Sequence, residues 1–157
     1  MNDADQDRAQ AARLPDKDVI AVLYRQHADI RDLMSTVKSA TGADRAHAFD
    51  RLKVLLIAHE HAEAALVRPV TRRTAGPLVA EARALEEHHA DEALARLAEL
   101  DLDSAAFDVQ FSQFEKAVSE HAEGEETEEV PALRTGCSPQ ERLQIGAEFL
   151  ARVGAAT

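Results

Sequence analysis

The sequence predicts an all-α protein, an up-down-up-down four-helix bundle with a short fifth helix at its C-terminal end. The 157-residue chain is rich in Ala, Leu, Glu and Arg, whereas aromatic residues make up only 4% and Trp is absent. The abundant residue types are strong helix formers. No segment alternates between apolar and polar residues over a useful length, as a half-buried strand would. Apolar residues instead recur at helical spacing, which favours amphipathic helices.

An internal repeat indicates that two similar helical hairpins follow one another along the chain. Apolar residues repeat with it, as Leu23 and Leu85 do. The residues with metal-binding chemistry recur at an offset of 62: His27 with His89, His59 with His121, and Glu63 with Glu125, together with Pro69 and Pro131. A duplicated hairpin with two His and one Glu in each copy is the pattern of a two-metal site in a four-helix bundle.

The length suits one domain with a substantial core. Residues 1–15 are polar and rich in Asp, and they are predicted to form a disordered lead-in. The four-helix bundle is expected to occupy residues 16–135. Residues 136–157 are predicted to form a C-terminal helix and tail.

Punctuating residues set the predicted ends of the first two helices. The first helix opens at Asp16 and ends at Gly42, and the second starts at Asp44. The second helix is predicted to end near Pro69, because proline interrupts the hydrogen-bond ladder.

The second half of the chain is predicted to repeat this hairpin. Pro77 suits the first turn of a third helix, which runs to about Leu100 with Leu85 on its core face. Ser104 is the predicted N-cap of the fourth helix, which ends near Pro131. The segment Ser138-Pro139-Gln140-Glu141 is a capping box that opens the short fifth helix, predicted to reach about Arg152.

Composition excludes several classes of partner. The net charge of −11 at pH 7 disfavours binding to nucleic acid or to an anionic membrane surface. No apolar run is long enough to span a membrane, and the first 13 residues contain no apolar signal core. Cys137 is the single cysteine, which excludes an internal disulfide and is typical of a reducing cytoplasm. The sequence therefore predicts a cytoplasmic protein and leaves its oligomeric state open.

A metal site is predicted from inward-facing His and Glu side chains. His59 and Glu63 lie one helical turn apart on one face, and so do His121 and Glu125. Burying charged carboxylates without positive compensation is costly, and we expect no Lys or Arg at the matching depth. Metal ions would supply the missing charge.

The donor set indicates which metal this would be. Imidazole nitrogen and carboxylate oxygen suit iron, with manganese and zinc as competitors. The two-fold pattern suggests two ions, each held by two His, with Glu63 and Glu125 bridging between them. His88 is an alternative to His89, because adjacent helical residues point about 100° apart. Tyr24, one turn before His27, either reaches the metal site, as a hydrogen-bond donor behind the ligands or as a redox-active phenol, or is a packing residue.

These residues resemble the hemerythrin-like proteins that carry the HHE cation-binding domain. The resemblance spans roughly residues 16–135. It implies a four-helix bundle with a non-heme di-iron centre, two iron ions that are oxo- or hydroxo-bridged. It further implies that His27, His59, His89 and His121 are terminal ligands and that Glu63 and Glu125 are bridging carboxylates. The motifs that carry it are Gln26-His27-Ala28-Asp29-Ile30, His59-x3-Glu63-x5-Pro69, Glu86-Glu87-His88-His89 and His121-x3-Glu125-x5-Pro131.

Two positions depart from the oxygen-carrying members of that family. Those proteins have a fifth His one turn after the third-helix ligand, where this chain has Ala93. They have a His-x4-Asp in the fourth helix, and the x4 position here is Glu126, an alternative ligand to Glu125. The missing His favours peroxide or nitric oxide chemistry over simple reversible oxygen carriage.

Three functions follow as hypotheses. The preferred one is a di-iron protein that binds or reacts with O2, H2O2 or NO, with a catalase- or peroxidase-like activity if it is an enzyme. The second is an iron storage or sensing protein without turnover. The third is a helical bundle in which a metal such as zinc has only a structural role. The sequence does not separate ligand binding from catalysis.

Overall fold

The computed structural model describes residues 2–157 and confirms the all-α class. Within that range no helix is both long and apolar enough to cross a membrane. The helices are α1 (Asp3–Ala11), α2 (Val19–Ser39), α3 (Gly42–Leu66), α4 (Arg68–Thr74), α5 (Pro77–Ala98), α6 (Ala105–Gly124), α7 (Val130–Gly136) and α8 (Pro139–Ala156), with a π-helical turn at Glu125–Glu129 between α6 and α7.

The long helices α2, α3, α5 and α6 form the predicted four-helix bundle. One end of its core is aromatic. The ring centroids of Phe49 and Phe107 lie 5.5 Å apart in an edge-on contact, and those of the stacked rings of Phe107 and Phe111 also lie 5.5 Å apart. Such pairs add to the stability that apolar burial supplies. This closed end leaves the polar side chains of the bundle at the other end.

Side chains cap two of these helices, as local chemistry requires. The Asp18 carboxylate accepts a hydrogen bond from the Ile20 amide at the start of α2. The Ser104 hydroxyl accepts one from the Phe107 amide at the start of α6, which confirms the predicted N-cap. Each cap satisfies an amide that has no partner within its helix.

The prediction of a disordered lead-in is wrong for residues 3–11, which form α1. Helix α1 packs against α2, and Ala4, Asp7 and Ala11 are buried there. Arg8 ties the two helices together through Asp29 at 3.1 Å and Asp32 at 2.7 Å. The segment contains few apolar residues, so hydrophobic periodicity did not reveal it. Its stability comes from ion pairs and from small buried side chains.

The core face predicted for α5 is also wrong. Leu85 is 56% exposed. The side chains of α5 that are buried instead are Ala80, Arg83, Glu87, Ala90, Leu94 and Leu97. Two of these six residues are charged. A prediction that places apolar residues in the core therefore selects the opposite face of the helix. The reason lies in their charged partners: Glu87 pairs with Arg68 of α4, and Arg83 pairs with Glu86 on α5 itself.

Proline interrupts α3 and α6 at equivalent places, as predicted. Pro69 follows the break at Val67, and Pro131 lies in the first turn of α7. Before Pro131 the chain widens into the π-helical turn, in which the Val130 amide donates to the Glu125 carbonyl. Single π-helical turns are frequent at functional sites. This one buries the side chains of both Glu125 and Glu129.

Helix α8 is longer than the short helix predicted and covers the open side of α2 and α3. Its capping box is confirmed: Ser138 and Glu141 exchange hydrogen bonds at 3.1 Å each. Gly146 lets α8 approach the backbone closely, since a Cβ there would lie 1.8 Å from the Lys17 carbonyl oxygen. The Phe149 ring then packs edge-on against His59 at 5.6 Å.

Candidate metal centre

Six side chains converge in the polar half of the bundle as two overlapping groups. The ligand atoms within each group all lie within 4.8 Å of one another. Each of the helices α2, α3 and α5 contributes, and so does the segment that joins α6 to the π-helical turn. The first group is His27, His59, Glu63 and Glu125, and the second is Glu63, Glu87, His121 and Glu125.

The first group is completely enclosed. Its four residues are at most 3% exposed. His27 Nε2 lies 3.0 Å from Glu125 Oε2 and 3.9 Å from Glu63 Oε1. His59 Nε2 contacts Glu63 Oε1 and lies 4.0 Å from Glu125 Oε2. Two imidazoles and two carboxylates therefore face one point.

The second group is richer in carboxylates and nearer to solvent. His121 Nε2 contacts Glu125 Oε1 and lies 3.5 Å from Glu87 Oε1. The His121 side chain is 11% exposed. Glu125 thus turns one oxygen toward each group, which is the geometry of a bridging carboxylate. Glu63 belongs to both groups as well.

The outer nitrogen of each imidazole has its own hydrogen-bond partner. His27 Nδ1 lies 2.9 Å from Glu126 Oε2, His59 Nδ1 lies 2.7 Å from Gln26 Oε1, and His121 Nδ1 lies 2.8 Å from Glu86 Oε1. An oxygen acceptor at Nδ1 assigns the proton to that nitrogen and leaves Nε2 to face the cluster. This is the arrangement that orients histidines which bind metals.

The pKa values of these groups reflect the crowding of carboxylates. Burial opposes charge on His27, but its hydrogen bonds to Glu125 and Glu126 raise the pKa of its imidazole well above the usual value. The same balance raises the pKa of His121 to about 12, with Glu125 as the main charge partner. Burial raises the carboxyl pKa of Glu125, but the nearby His121 outweighs it and lowers that pKa well below the usual value. Protons on His27 and His121 thus neutralise carboxylate charge, and metal binding would have to release these protons.

A buried cation lies beside the cluster, contrary to the prediction that none would. Arg68 Nη2 donates to Glu87 at 2.6 Å and to Glu63 at 3.3 Å, and its Nε lies 3.1 Å from Glu129 Oε1. The arginine is 3% exposed. Helical periodicity did not reveal it, because Arg68 stands at the first position of α4, beyond the helix that carries His59. One arginine does not balance all the buried carboxylates around it, and protonated His27 and His121 supply further positive charge in the metal-free protein.

Two further buried carboxylates were not predicted. Burial, with the charges of Glu63 and Glu125, raises the pKa of Glu129 to about 8. Burial also raises the pKa of Glu60 to about 10, helped by the neighbouring Asp91. Both side chains therefore keep a proton near neutral pH. A run of Glu residues such as the one around the fourth-helix ligand is typical of a solvated face. For this reason the sequence did not predict that Glu129 is buried.

The structure does not bring His89 into the cluster, and α5 contributes Glu87 instead. His88 and His89 are both exposed, and His88 Nε2 lies 2.8 Å from Glu92 Oε1. Glu87 lies two residues before His89 and therefore about 160° away around the helix. The 62-residue offset and the position of Leu85 both favoured the exposed face. Arg83, Glu87 and Ala90 are buried on one face of α5, four and three residues apart. This helical spacing was the signal that could have identified Glu87.

Glu126 and Tyr24, which the sequence also marked as candidates near the metals, lie outside both groups. Glu126 contacts the outer nitrogen of His27. Tyr24 is half-buried and packs with the apolar cluster of α2, α4 and α8. Within residues 2–157 its hydroxyl forms no hydrogen bond with a cluster residue, and burial raises the pKa of its phenol.

Two cavities adjoin the cluster. A small cavity of about 20 Å³ lies between the imidazoles and apolar side chains such as Ile30, Met34 and Val118. Such a volume holds roughly one water-sized molecule. A groove of about 640 Å³ between α5 and α6 reaches His121 and Glu86 from solvent, and Ala93 lines it. Solvent therefore approaches the centre from the His121 side.

The donor set fits divalent or trivalent metal ions. Glu63 Oε1 and His121 Nε2 are buried, and they face other donor atoms of the cluster, His59 Nε2 and Glu125 Oε1 respectively. Carboxylate oxygen and imidazole nitrogen are donor types that such ions bind. Metal ions would replace the positive charge that protons on His27 and His121 supply in the metal-free site.

Comparisons with known proteins agree with this fold and identify the family. Residues 18–133 match the family of the hemerythrin HHE cation binding domain, and the chain belongs to that family. The structure is similar to a crystal structure of a hemerythrin HHE cation binding domain-containing protein from Mycobacterium kansasii. The TM-score is 0.78 at 22% identity, over 86% of this chain and 84% of the other. No curated protein matches the sequence.

Proposed function

We propose that the protein is a non-heme di-iron protein which binds or transforms small oxygen or nitrogen species such as O2, H2O2 or NO. The observation that carries the proposal is the pair of ligand groups that share Glu63 and Glu125. Membership of a cation-binding family supports it. In this proposal His27 and His59 hold one ion, His121 and Glu87 hold the other, and the shared glutamates bridge.

The surroundings favour a very small ligand. The small cavity beside the imidazoles has room for one water-sized molecule, and several apolar side chains are among those that line it. Ile30, Met34 and Val118 would exclude bulk water from a ligand held there. A larger organic substrate has no space at that position.

When bound, two iron ions supply redox and Lewis-acid chemistry toward such ligands. The protein holds the donors in place. Gln26, Glu86 and Glu126 fix the imidazole orientations through Nδ1, and Arg68 restrains Glu63 and Glu87. The His121 side is the one that exchanges with solvent, through the groove between α5 and α6.

The test is the iron content together with the ultraviolet–visible spectrum of protein from iron-supplemented cells. We expect about two irons per chain and near-ultraviolet charge-transfer bands typical of a bridged ferric pair. Oxygen evolution from added H2O2 would then identify a catalase-like enzyme, whereas reversible spectral change with O2 would identify a carrier. Iron near zero after anaerobic reconstitution would overturn the proposal. Zinc alone in the purified protein would then support a structural metal.

A further inference from the structure

Among the three histidines of the centre, His27 is the one connected to the N-terminal helix within the described range 2–157. Its outer nitrogen faces Glu126 Oε2 at 2.9 Å, and Arg31 Nη1 lies 3.5 Å from that same oxygen. Arg31 is one turn after His27 on α2, so both side chains point to the same side of the helix. The same nitrogen, Arg31 Nη1, also contacts the carboxylate of Asp7 in α1. These four side chains form a continuous chain from α1 to the metal cluster.

Asp7 is not an incidental surface residue. It is 4% exposed, although it lies in a helix that is otherwise mostly exposed. The pairing Arg8 makes with Asp29 and Asp32 docks α1 separately from Asp7. Residue 7 also lies outside the segment that matches the family, residues 18–133. The contact is thus a feature of this chain beyond the matched domain.

We propose that Asp7 is a positioning residue for His27, acting through Arg31 and Glu126. The inference rests on the proposed function, in which His27 Nε2 is a metal ligand. Asp7 and Glu126 share one nitrogen of Arg31, Nη1, and this shared contact holds the Glu126 carboxylate at the His27 Nδ1–H. Without Asp7 the guanidinium is free to turn, Glu126 follows it, and the imidazole loses its orienting partner. Outer partners of this kind commonly change metal affinity by about 10- to 100-fold.

The test compares Asp7→Ala with two matched variants of the same helix. Asp5→Ala removes an exposed carboxylate, and Arg8→Ala weakens the docking of α1 without touching Arg31. The first readout is Fe2+ affinity by anaerobic chelator competition. The second is the Nδ1–H signal of His27 in a 1H–15N spectrum of the Zn2+-loaded protein, which reports the hydrogen bond to Glu126 directly.

We expect Asp7→Ala to weaken Fe2+ binding about tenfold and to shift or broaden the His27 signal. Asp5→Ala should change neither, and Asp7→Glu should restore part of the affinity. Equal affinities and unchanged His27 signals in the Asp7→Ala and Asp5→Ala proteins would overturn the inference. An Arg8→Ala protein with the same losses as Asp7→Ala would also overturn it, because docking alone would then explain them.

Failure of the di-iron proposal gives a different result. In that case the unmodified protein itself binds no Fe2+. The His27 signal of the metal-free protein still responds to Asp7→Ala if the positioning chain is real, and does not respond if it is absent.

Discussion

Arg68 donates from one nitrogen to both Glu63 and Glu87, at 3.3 Å and 2.6 Å, and so joins the carboxylates of α3 and α5. The arginine is almost fully buried, and a third carboxylate, Glu129, lies 3.1 Å from its Nε. Such an arrangement stabilises only while its partners are present, because a buried charge that loses its partner pays the full desolvation cost.

Replacing Arg68 by Met should therefore destabilise the metal-free protein strongly. The variant leaves Glu63, Glu87 and Glu129 without their cation, and the expected loss is about 3 kcal/mol of unfolding free energy. Urea denaturation followed by circular dichroism measures it. Arg72→Met, at an exposed position of the same helix, is the control and should be close to neutral. Equal stability of the two variants would contradict this account of Arg68.

Glu87, not His89, should determine how much iron the chain holds. Glu87→Ala removes a donor of the second group and leaves His27 and His59 intact, so the iron content should fall from about two per chain toward one. His89→Ala should leave the content unchanged, because His89 is exposed. Metal analysis after anaerobic reconstitution distinguishes the two. Loss of iron in the His89 variant alone would restore the assignment made from the repeat.

Gly146 should resist substitution, whereas Gly154 on the same helix should not. A Cβ at position 146 would lie 1.8 Å from the Lys17 carbonyl oxygen, and at 154 nothing lies within 4 Å. Gly146→Ala should therefore push α8 away and cost about 1 to 3 kcal/mol. Gly154→Ala should gain up to about 1 kcal/mol, since alanine loses less entropy in a helix. Thermal unfolding of both variants checks the pair, and matching melting temperatures would refute the close contact.

The Cys137 thiol should react slowly, with a pH dependence set by its raised pKa. Burial raises that pKa above 9.0, and Glu141 adds to the effect. The folded chain then holds this proton more tightly than the unfolded chain, so the contribution to stability is complete below about pH 9. It declines as the pH rises through the folded-state pKa.

Alkylation by iodoacetamide measures this directly. The rate should reach half its maximum near pH 9 in the urea-unfolded chain, the ordinary range for a thiol, and at a higher pH in the folded protein. A folded-state midpoint at or below that of the unfolded chain is the contrary result.

Much of this protein follows from local sequence rules. Prolines, caps and helical spacing predicted the four long helices, because these signals act over a few neighbouring residues. The pairs His59 with Glu63 and His121 with Glu125 were equally accessible, since residues four apart share a helix face whatever surrounds it. His27 joined them through the apolar residues that flank it on α2.

Other parts depended on which helices pack together. The buried face of α5 carries Arg83 and Glu87, and its partners, such as Arg68 and Glu86, come from elsewhere in the chain or from the next turn. An apolar pattern therefore indicated the exposed side that carries Leu85 and His89. Helix α1 was missed for the same reason, because its contacts are ion pairs with α2. A buried charged side chain such as Glu87 is stabilised by a partner on another helix. Only the folded structure therefore shows which charged residues are buried.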